Sequence, residues 1–291
     1  MFFWLIKRLF RAKIIYIWFC DYHAFLPALL GRIFGKKTII IFGGFDAMNL
    51  PEFNYGGFTQ GIRGKIIRMS SKLAHLLLPV SEFTYTHLAK NAGPFVKQKS
   101  QVLYNGIDLS LFPPFPEIER TQIVCISAAT GEITANIKGI DRFLTLAEAI
   151  PNRQFTLIGT APEFLQSYWK RPLPSNLKVI KWTPRETLQT HLQSSKIICQ
   201  LSRSESFGLA LAEGMLCGCI PLTIANLGAA EVVNPEFGYI LPQWDLSASQ
   251  AAIEAAFNRT EALALANRRH VETSFSLEIR AEKLLAIIAS N

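Results

Sequence analysis

The sequence has no run of 18 or more apolar residues, so no segment is expected to cross a bilayer as a helix. It has no Cys-x-x-Cys pair. Its five cysteines (Cys20, Cys125, Cys199, Cys217 and Cys219) are odd in number and sit mostly in apolar runs. That excludes a disulfide framework and predicts reduced, buried thiols of a cytoplasmic protein. Cys217 and Cys219 are close together, but no histidine lies near them, so packing explains them better than a metal. Asp-x-Asp is also absent, so nothing points to a metal-clamped diphosphate, and no metal site is expected. No Gly-x-Gly-x-x-Gly follows a strand, which removes the fingerprint of an NAD-dependent oxidoreductase; no cofactor is expected. The apolar, basic start is not followed by a small-residue cleavage site, which argues against a signal peptide.

Acidic residues are scarce in one region. Residues 1–100 hold 4 Asp/Glu against 14 Lys/Arg, a net charge of +10, whereas residues 101–291 hold 18 against 16, a net charge of −2. A basic first third suits an anionic partner such as a membrane surface or a polyanionic acceptor, or it is simply a solvated basic face. No nucleic-acid-binding motif accompanies the charge, so nucleic acid is not an expected partner. Met1 to Lys13, MFFWLIKRLFRAK, reads as a helix with a broad apolar side and a basic remainder. It fits a membrane interface, aromatic side down, and equally a core helix of a first domain.

What is present is ample apolar material: 49 % of 291 residues, enough for one large or two medium domains. Ile14–Cys20 reads as a buried strand, Leu26–Phe34 as a helix and Thr38–Phe42 as a second strand running into Gly43-Gly44-Phe45-Asp46. Two glycines at a strand end allow a ligand close to the backbone, or make a tight turn. Leu50–Gly61 reads as a loop, Ile62–Leu73 as a basic helix and His75–Val80 as a strand. Ser81 is placed to cap a helix over Glu82–Lys90, and Gln101–Tyr104 reads as a short strand. The prolines of Leu111–Pro116, LFPPFP, make the best linker, dividing a domain over 1–113 from one over 114–291. Beyond it, short apolar runs alternate with amphipathic helices: strands at 122–127, 155–158, 177–181, 197–201 and 219–224, and helices at 139–150, 162–170, 185–192, 208–216 and 228–233. That pattern predicts an α/β fold with a parallel sheet covered on both faces. Helices at 247–257, 260–271 and 276–289 close the chain and are candidates to pack back on the first domain.

The stretch that organises this pattern is Ser204–Pro221, SESFGLALAEGMLCGCIP. An apolar strand ends at Leu201, a polar turn carries Glu205, and a helix opens near Gly208. A helix opening above a strand's end offers free N–H groups and the positive end of its dipole, a ready site for phosphate. Glu213 lies five residues past Gly208, about 7.5 Å along the axis at ~1.5 Å per residue, a reach that suits a ribose beyond a diphosphate. Carboxylates suit vicinal hydroxyls because one group accepts two hydrogens. The alternative is that Glu205 merely favours the helix dipole and Glu213 faces water.

ESFGLALAE followed by GMLCGCIP resembles the E-x7-E signature of family 4 retaining glycosyltransferases, which adopt the GT-B fold of two Rossmann-like domains. VSEFT at Val80–Thr84, YNGID at Tyr104–Asp108, KGI at Lys138–Ile140 and FTLIG at Phe155–Gly159 fall in that family's order and spacing. The resemblance implies transfer of a sugar, with retention and without a metal, from a UDP- or GDP-linked nucleotide-diphosphate sugar to a glycan or lipid-linked acceptor. The location is expected from the residues instead: cytoplasmic from the thiols, and peripheral on the inner face of the membrane where residues 1–13 lie in its interface. The resemblance makes Glu205 and Lys138 the catalytic candidates. Ser206, Phe207, Gly208, Leu209, Glu213, Gly44 and Asp46 are then the donor-binding candidates. Three features depart from the family's pattern. No histidine stands near Gly43–Asp46, and no arginine lies between Thr121 and Ile137. The first domain is also shorter than the family's.

Overall fold

In a computed structural model of the chain, residues 11–115, 118–259 and 262–290 are described. The expected helix over residues 1–13 falls, for its first ten positions, outside them. The chain divides into two compact units, Met1–Tyr104 and Asn105–Asn291.

The first unit is a three-stranded parallel sheet in the order β1 (Ile14–Trp18), β2 (Lys37–Phe42), β3 (Leu76–Pro79). The central strand is buried from Thr38 to Phe42, which is why its sequence is an unbroken apolar run rather than an alternating one. Among the described residues, the helices that accompany the sheet are α1 (Tyr22–Ile33), α2 (Gly61–Leu73), α3 (Glu82–Ala92) and the single turn α4 (Val96–Lys99). Helix α1 starts four residues before its expected position because the Asp21 carboxylate accepts from the Tyr22 N–H and caps it. Ser81 caps α3 as its sequence predicts, its hydroxyl accepting from Thr84 N–H at 3.0 Å. Gln101–Tyr104 is not a strand. It runs beside β3 through two backbone hydrogen bonds, Gln101 N–H to Leu77 and Leu103 N–H to Pro79, too few to make a ladder. The basic charges of α2 are partly spent inside the unit: Arg63 makes a bidentate pair with Asp21, and Arg68 donates to the carbonyls of Asn91 and Ala92.

Asp46 organises the turn after β2. It is 4 % exposed, one carboxylate oxygen accepting from Cys20 N–H at 2.8 Å and the other from Gly44 N–H at 2.9 Å. Burial pushes its pKa up to about 6, against the opposing pull of those backbone donors. A carboxyl raised in the folded state stabilises fully below its unfolded pKa, near 3.8, and loses that contribution as pH rises through the folded value. The first unit is therefore expected to lose about 3 kcal/mol of relative stability between pH 4 and pH 6. In Asp46→Asn that slope disappears, while the amide NH2 meets a backbone N–H and lowers stability at every pH. Denaturant titrations across pH 4–7 check both.

The second unit is a six-stranded, fully parallel sheet. Its strands are β4 (Gln122–Ile126), β5 (Gln154–Ile158), β6 (Leu177–Ile180), β7 (Ser195–Gln200), β8 (Ile220–Ile224) and β9 (Tyr239–Leu241), in the spatial order β6-β5-β4-β7-β8-β9. Its helices are α5 (Glu132–Ile137), α6 (Ile140–Ala149), α7 (Pro162–Trp169), α8 (Arg185–Gln193), α9 (Leu209–Leu216), α10 (Gly228–Val232), α11 (Leu246–Phe257), α12 (Ala262–Ser274) and α13 (Leu277–Ser290). The chain starts mid-sheet at β4, builds outward through β5 and β6, then returns to the other side of β4 with β7. The order reverses between β4 and β7, and in open parallel sheets ligands bind at such a reversal, beyond the carboxyl ends of the strands. The loops leaving β4 and β7 contain Lys138 and Glu205.

Two elements differ from the sequence expectation. The segment 128–139, expected as a long loop, contains α5, a turn and a half begun at Gly131, where the Gly131 N–H donates to the Thr134 hydroxyl. The edge strand β9 has only three residues, two of them half-buried, too short for an apolar run to announce it. All five cysteines are buried free thiols. The Cys219 thiol donates to the Leu192 carbonyl, at a sulfur–oxygen distance of 3.1 Å. Among the described residues no helix is long and apolar enough to cross a membrane.

Candidate active site

Strand β7 is buried along its whole length, and the polar turn that follows it is tied to the neighbouring loop on several sides. Arg203 N–H donates to the Ile137 carbonyl at 2.8 Å. The Arg203 guanidinium reaches the Asn136 carbonyl at 2.6 Å and grips both Asp141 oxygens at 2.7 and 2.6 Å. Arg142 reaches back the other way, donating to the carbonyls of Leu201 and Ser202 at 3.0 and 3.3 Å. Two arginines thus staple the loop after β7 to the α5–α6 corner. A bidentate guanidinium–carboxylate pair fixes orientation as well as distance. The Asp141 carboxylate raises the Arg203 pKa; burial, aided by Arg203's charge, lowers that of Arg142. Neither arginine lies in the segment between Thr121 and Ile137 where the resemblance leads one to look. The positive charge at this corner comes instead from the β7 loop and from the first turn of α6.

Between the staples, Lys138 and Glu205 meet. The Lys138 ammonium lies 2.8 Å from Glu205 Oε2, with side-chain exposures of 37 % and 12 %. Glu205 therefore points toward the loop after β4, not into bulk water. Lys138 is the last residue of the α5 corner. Gly139 follows in the left-handed region at φ +66°, where its missing side chain lets the corner lie directly on the end of β7.

Gly208, at φ +89°, is the N-cap of α9. The first four N–H groups of a helix have no acceptor within it, and here they belong to Gly208–Leu211; the next, Ala212 N–H, already donates to the Gly208 carbonyl at 3.1 Å. Phe207 is 2 % exposed, its ring edge-on to Phe275 at 5.5 Å, so only its backbone can meet a ligand. The Leu209 side chain is 46 % exposed. Ser206 is half-buried, and the Glu205 carbonyl accepts from Gly228 N–H at 2.8 Å, which anchors the turn from its far side. Glu213, on α9, is half-buried and meets no hydrogen-bond donor among the described residues. Burial pushes its pKa up, partly offset by the charge of Arg185. A desolvated carboxylate without a donor is expensive to keep and is ready to accept hydroxyl hydrogens. Gly44 and Asp46 belong to the first unit; there both Asp46 oxygens are taken by backbone N–H groups, so Asp46 shapes the rim after β2 rather than offering an open carboxylate.

Gln200 escaped the sequence reading, as Arg142 and Arg203 did. Gln200, the last residue of β7, is 8 % exposed and donates from Nε2 to Glu205 Oε2 at 2.6 Å. Its own Oε1 is buried without a partner, an arrangement that costs about 1–3 kcal/mol. The signal was a lone glutamine closing the apolar run Ile197–Cys199, a polar residue where packing alone asks for none.

The family described as Glycosyl transferases group 1 matches residues 118–269, just over half of the chain. No curated protein matches the sequence. Among solved structures, Anabaena HepE in complex with UDP-glucose is 16 % identical, with a TM-score of 0.76 over 99 % of this chain and 82 % of that one. Sucrose-phosphate synthase from Thermosynechococcus elongatus is 18 % identical, with a TM-score of 0.77 over 99 % and 76 %. A glycosyltransferase from Rickettsia africae is 19 % identical, with a TM-score of 0.73 over 97 % and 77 %. The two parallel α/β units have the GT-B fold of these neighbours, and the chain belongs to the group 1 glycosyl transferases.

Proposed function

We propose that the chain transfers a sugar from a nucleotide-diphosphate sugar, with retention and without a metal, to a glycan or lipid-linked acceptor. The observation that carries this reading is the meeting of Lys138 and Glu205 at the sheet's reversal, beside the opening of α9. The diphosphate sits over the amides after Phe207, with Ser206 at its rim. Lys138 turns from Glu205 to the phosphates and takes up the charge that grows on the departing group, an electrostatic stabilisation of the transition state. Glu205 then faces the sugar hydroxyls and Glu213 the ribose diol. UDP is favoured over GDP as the carrier, because Anabaena HepE is seen with UDP-glucose, with UDP and glucose, and with UDP. The acceptor is taken by the first unit, whose Gly44 and Asp46, in the turn after β2, are kept as donor-binding residues. Its net positive charge and the basic, aromatic residues 1–13 hold the enzyme to an anionic membrane surface on the cytoplasmic side, where a lipid-linked acceptor is presented. Domain limits of 1–113 and 114–291 are part of this proposal.

A thermal-shift screen of UDP- and GDP-sugars tests it. A ligand at a hundred times its Kd stabilises the folded state by about 2.7 kcal/mol, roughly 5–10 °C for a unit of this size. UDP-sugars are expected to give that shift; no shift with any nucleotide sugar overturns the reading. Glu213→Gln sharpens the test. With its pKa raised by burial, Glu213 stabilises below its unfolded pKa, and that contribution is lost as pH rises through the folded value. At pH 7 the amide variant is therefore expected to melt about 2–4 °C higher, since relieving such a site yields about 1 kcal/mol. It is also expected to bind UDP roughly 10-fold more weakly, having lost a charged acceptor for the ribose. A stabilised variant with undiminished UDP affinity would remove Glu213 from the nucleotide site.

The competing account is a binding protein that no longer transfers. It is favoured by the absence of an arginine between Thr121 and Ile137 and by the pairing of Arg203 with Asp141, which leaves Lys138 as the main diphosphate cation. Release of free UDP in the presence of acceptor separates the two, because a scaffold releases none.

A further inference from the structure

The Glu205 carboxylate is loaded on one side. Lys138 Nζ and Gln200 Nε2 both donate to Oε2, at 2.8 and 2.6 Å, while Oε1 receives no donor from any described residue. The Gln200 amide can face this carboxylate in only one way, because its reversal would set oxygen against oxygen. Its Oε1 is thereby pushed into a dry place beside the N-cap of α9, where a methyl group on Gly208 would come within 2.9 Å of it. The neighbours Cys199 and Leu201 are 1 % exposed. An apolar side chain at position 200 would pack as well and leave no oxygen stranded.

We infer that Gln200 is a positioning residue for sugar recognition: it holds Oε2 of Glu205 so that Oε1 stays turned toward the hydroxyls of the donor sugar. This rests on the transfer reading above and deepens it. Lys138 serves two partners in turn. In the empty site its ammonium holds Glu205; with a diphosphate bound it is drawn to the phosphates. From that moment the Gln200 amide is the donor that remains on Oε2, and it keeps the carboxylate plane from swinging when the sugar's hydroxyls arrive. The ligand class is a hexosyl nucleotide with at least one free hydroxyl facing Glu205. The nucleoside diphosphate part does not meet Gln200, so the residue acts on the sugar and leaves nucleotide affinity alone.

Gln200→Met keeps the length of the side chain and removes its donor; Gln200→Leu is a second apolar replacement should Met pack poorly. Melting temperature, the Kd of UDP, the Kd of the best UDP-sugar from the screen, and kcat and KM are measured for each. The expected result is a melting temperature equal to or above that of the parent, a UDP Kd within about 2-fold, and a kcat/KM for transfer lower by roughly 10- to 100-fold, with the UDP-sugar no longer bound better than UDP. Unchanged kcat/KM in a folded variant overturns the inference. So does an equal loss of UDP and UDP-sugar affinity, or failure of both variants to fold, since each marks a structural role. If the parent protein binds UDP-sugar and transfers, those outcomes leave the transfer reading standing; if the parent binds no nucleotide sugar, that reading fails first and takes this one with it.

Discussion

Lys138→Ala and Glu205→Ala are each expected to lower transfer by about 10³-fold, the scale of removing one preorganised charge stabiliser from a transition state. The two differ in what they do to the fold. Lys138 is more than a third exposed, and a solvent-exposed ion pair is worth under about 1 kcal/mol, so Lys138→Ala should melt within a few degrees of the parent. Glu205→Ala strips the buried Gln200 amide of its acceptor, and that penalty of about 1–3 kcal/mol should lower the melting temperature by roughly 3–10 °C. The double variant should be little worse than either single one in transfer, because groups that act as a unit are lost as a unit. Steady-state kinetics with a UDP-sugar, read beside melting curves, checks all three. Full activity in either single variant would remove the pair from the reaction; additive losses would mean that the two side chains act on separate steps.

Much of the second unit was legible in the sequence, for a physical reason. Strands of a parallel sheet are covered on both faces, so Gln122–Ile126, Gln154–Ile158, Ser195–Gln200 and Ile220–Ile224 read as compact apolar runs, and the helices between them are long enough to show a period. What failed to show was short. Helix α5 is six residues of mixed polarity, and β9 is three residues at a sheet edge, so neither spans a full repeat of its own pattern. Gln101–Tyr104 erred the other way, since apolar character alone does not provide a partner along a whole strand. The site divides similarly. A strand, a polar turn and a helix opening at a glycine are local, and the phosphate-binding reading follows from them. The meeting of Lys138 with Glu205 joins positions 67 residues apart. No local pattern encodes it; the motif resemblance named both residues but not their contact. Arg203 and Arg142 remained hidden because their work is to bind carbonyls across two loops, a task any surface arginine's sequence context would fit. Gln200 was passed over because it stands inside the otherwise apolar run Ile197–Leu201, and only its bond to Glu205 across the turn gives it a role.

Gly139→Ala is expected to cost the second unit both stability and activity. The residue sits at φ +66°, where a side chain costs about 1–2 kcal/mol on conformational grounds. A Cβ there would also stand 2.0 Å from the Leu201 carbonyl oxygen and 2.7 Å from its carbon. The obstacle is backbone at the end of β7, so no rotamer change relieves it; the α5–α6 corner must lift off the strand. Lifting it stretches the hydrogen bonds that Arg203 and Arg142 make across the same seam, and carries Lys138 away from Glu205. We expect a loss of roughly 3 kcal/mol, seen as a fall of about 6–12 °C in the melting of the second unit. Transfer should drop at least 100-fold even well below that temperature, because misplacing a charge by about 1 Å is enough to cost that much. Ala135→Gly, in the same corner, is the control. It removes a buried methyl from a short helix and should cost about 1 kcal/mol without touching the seam. If Gly139→Ala costs no more activity than Ala135→Gly does, the close lie of the corner on β7 has no part in holding Lys138 to Glu205.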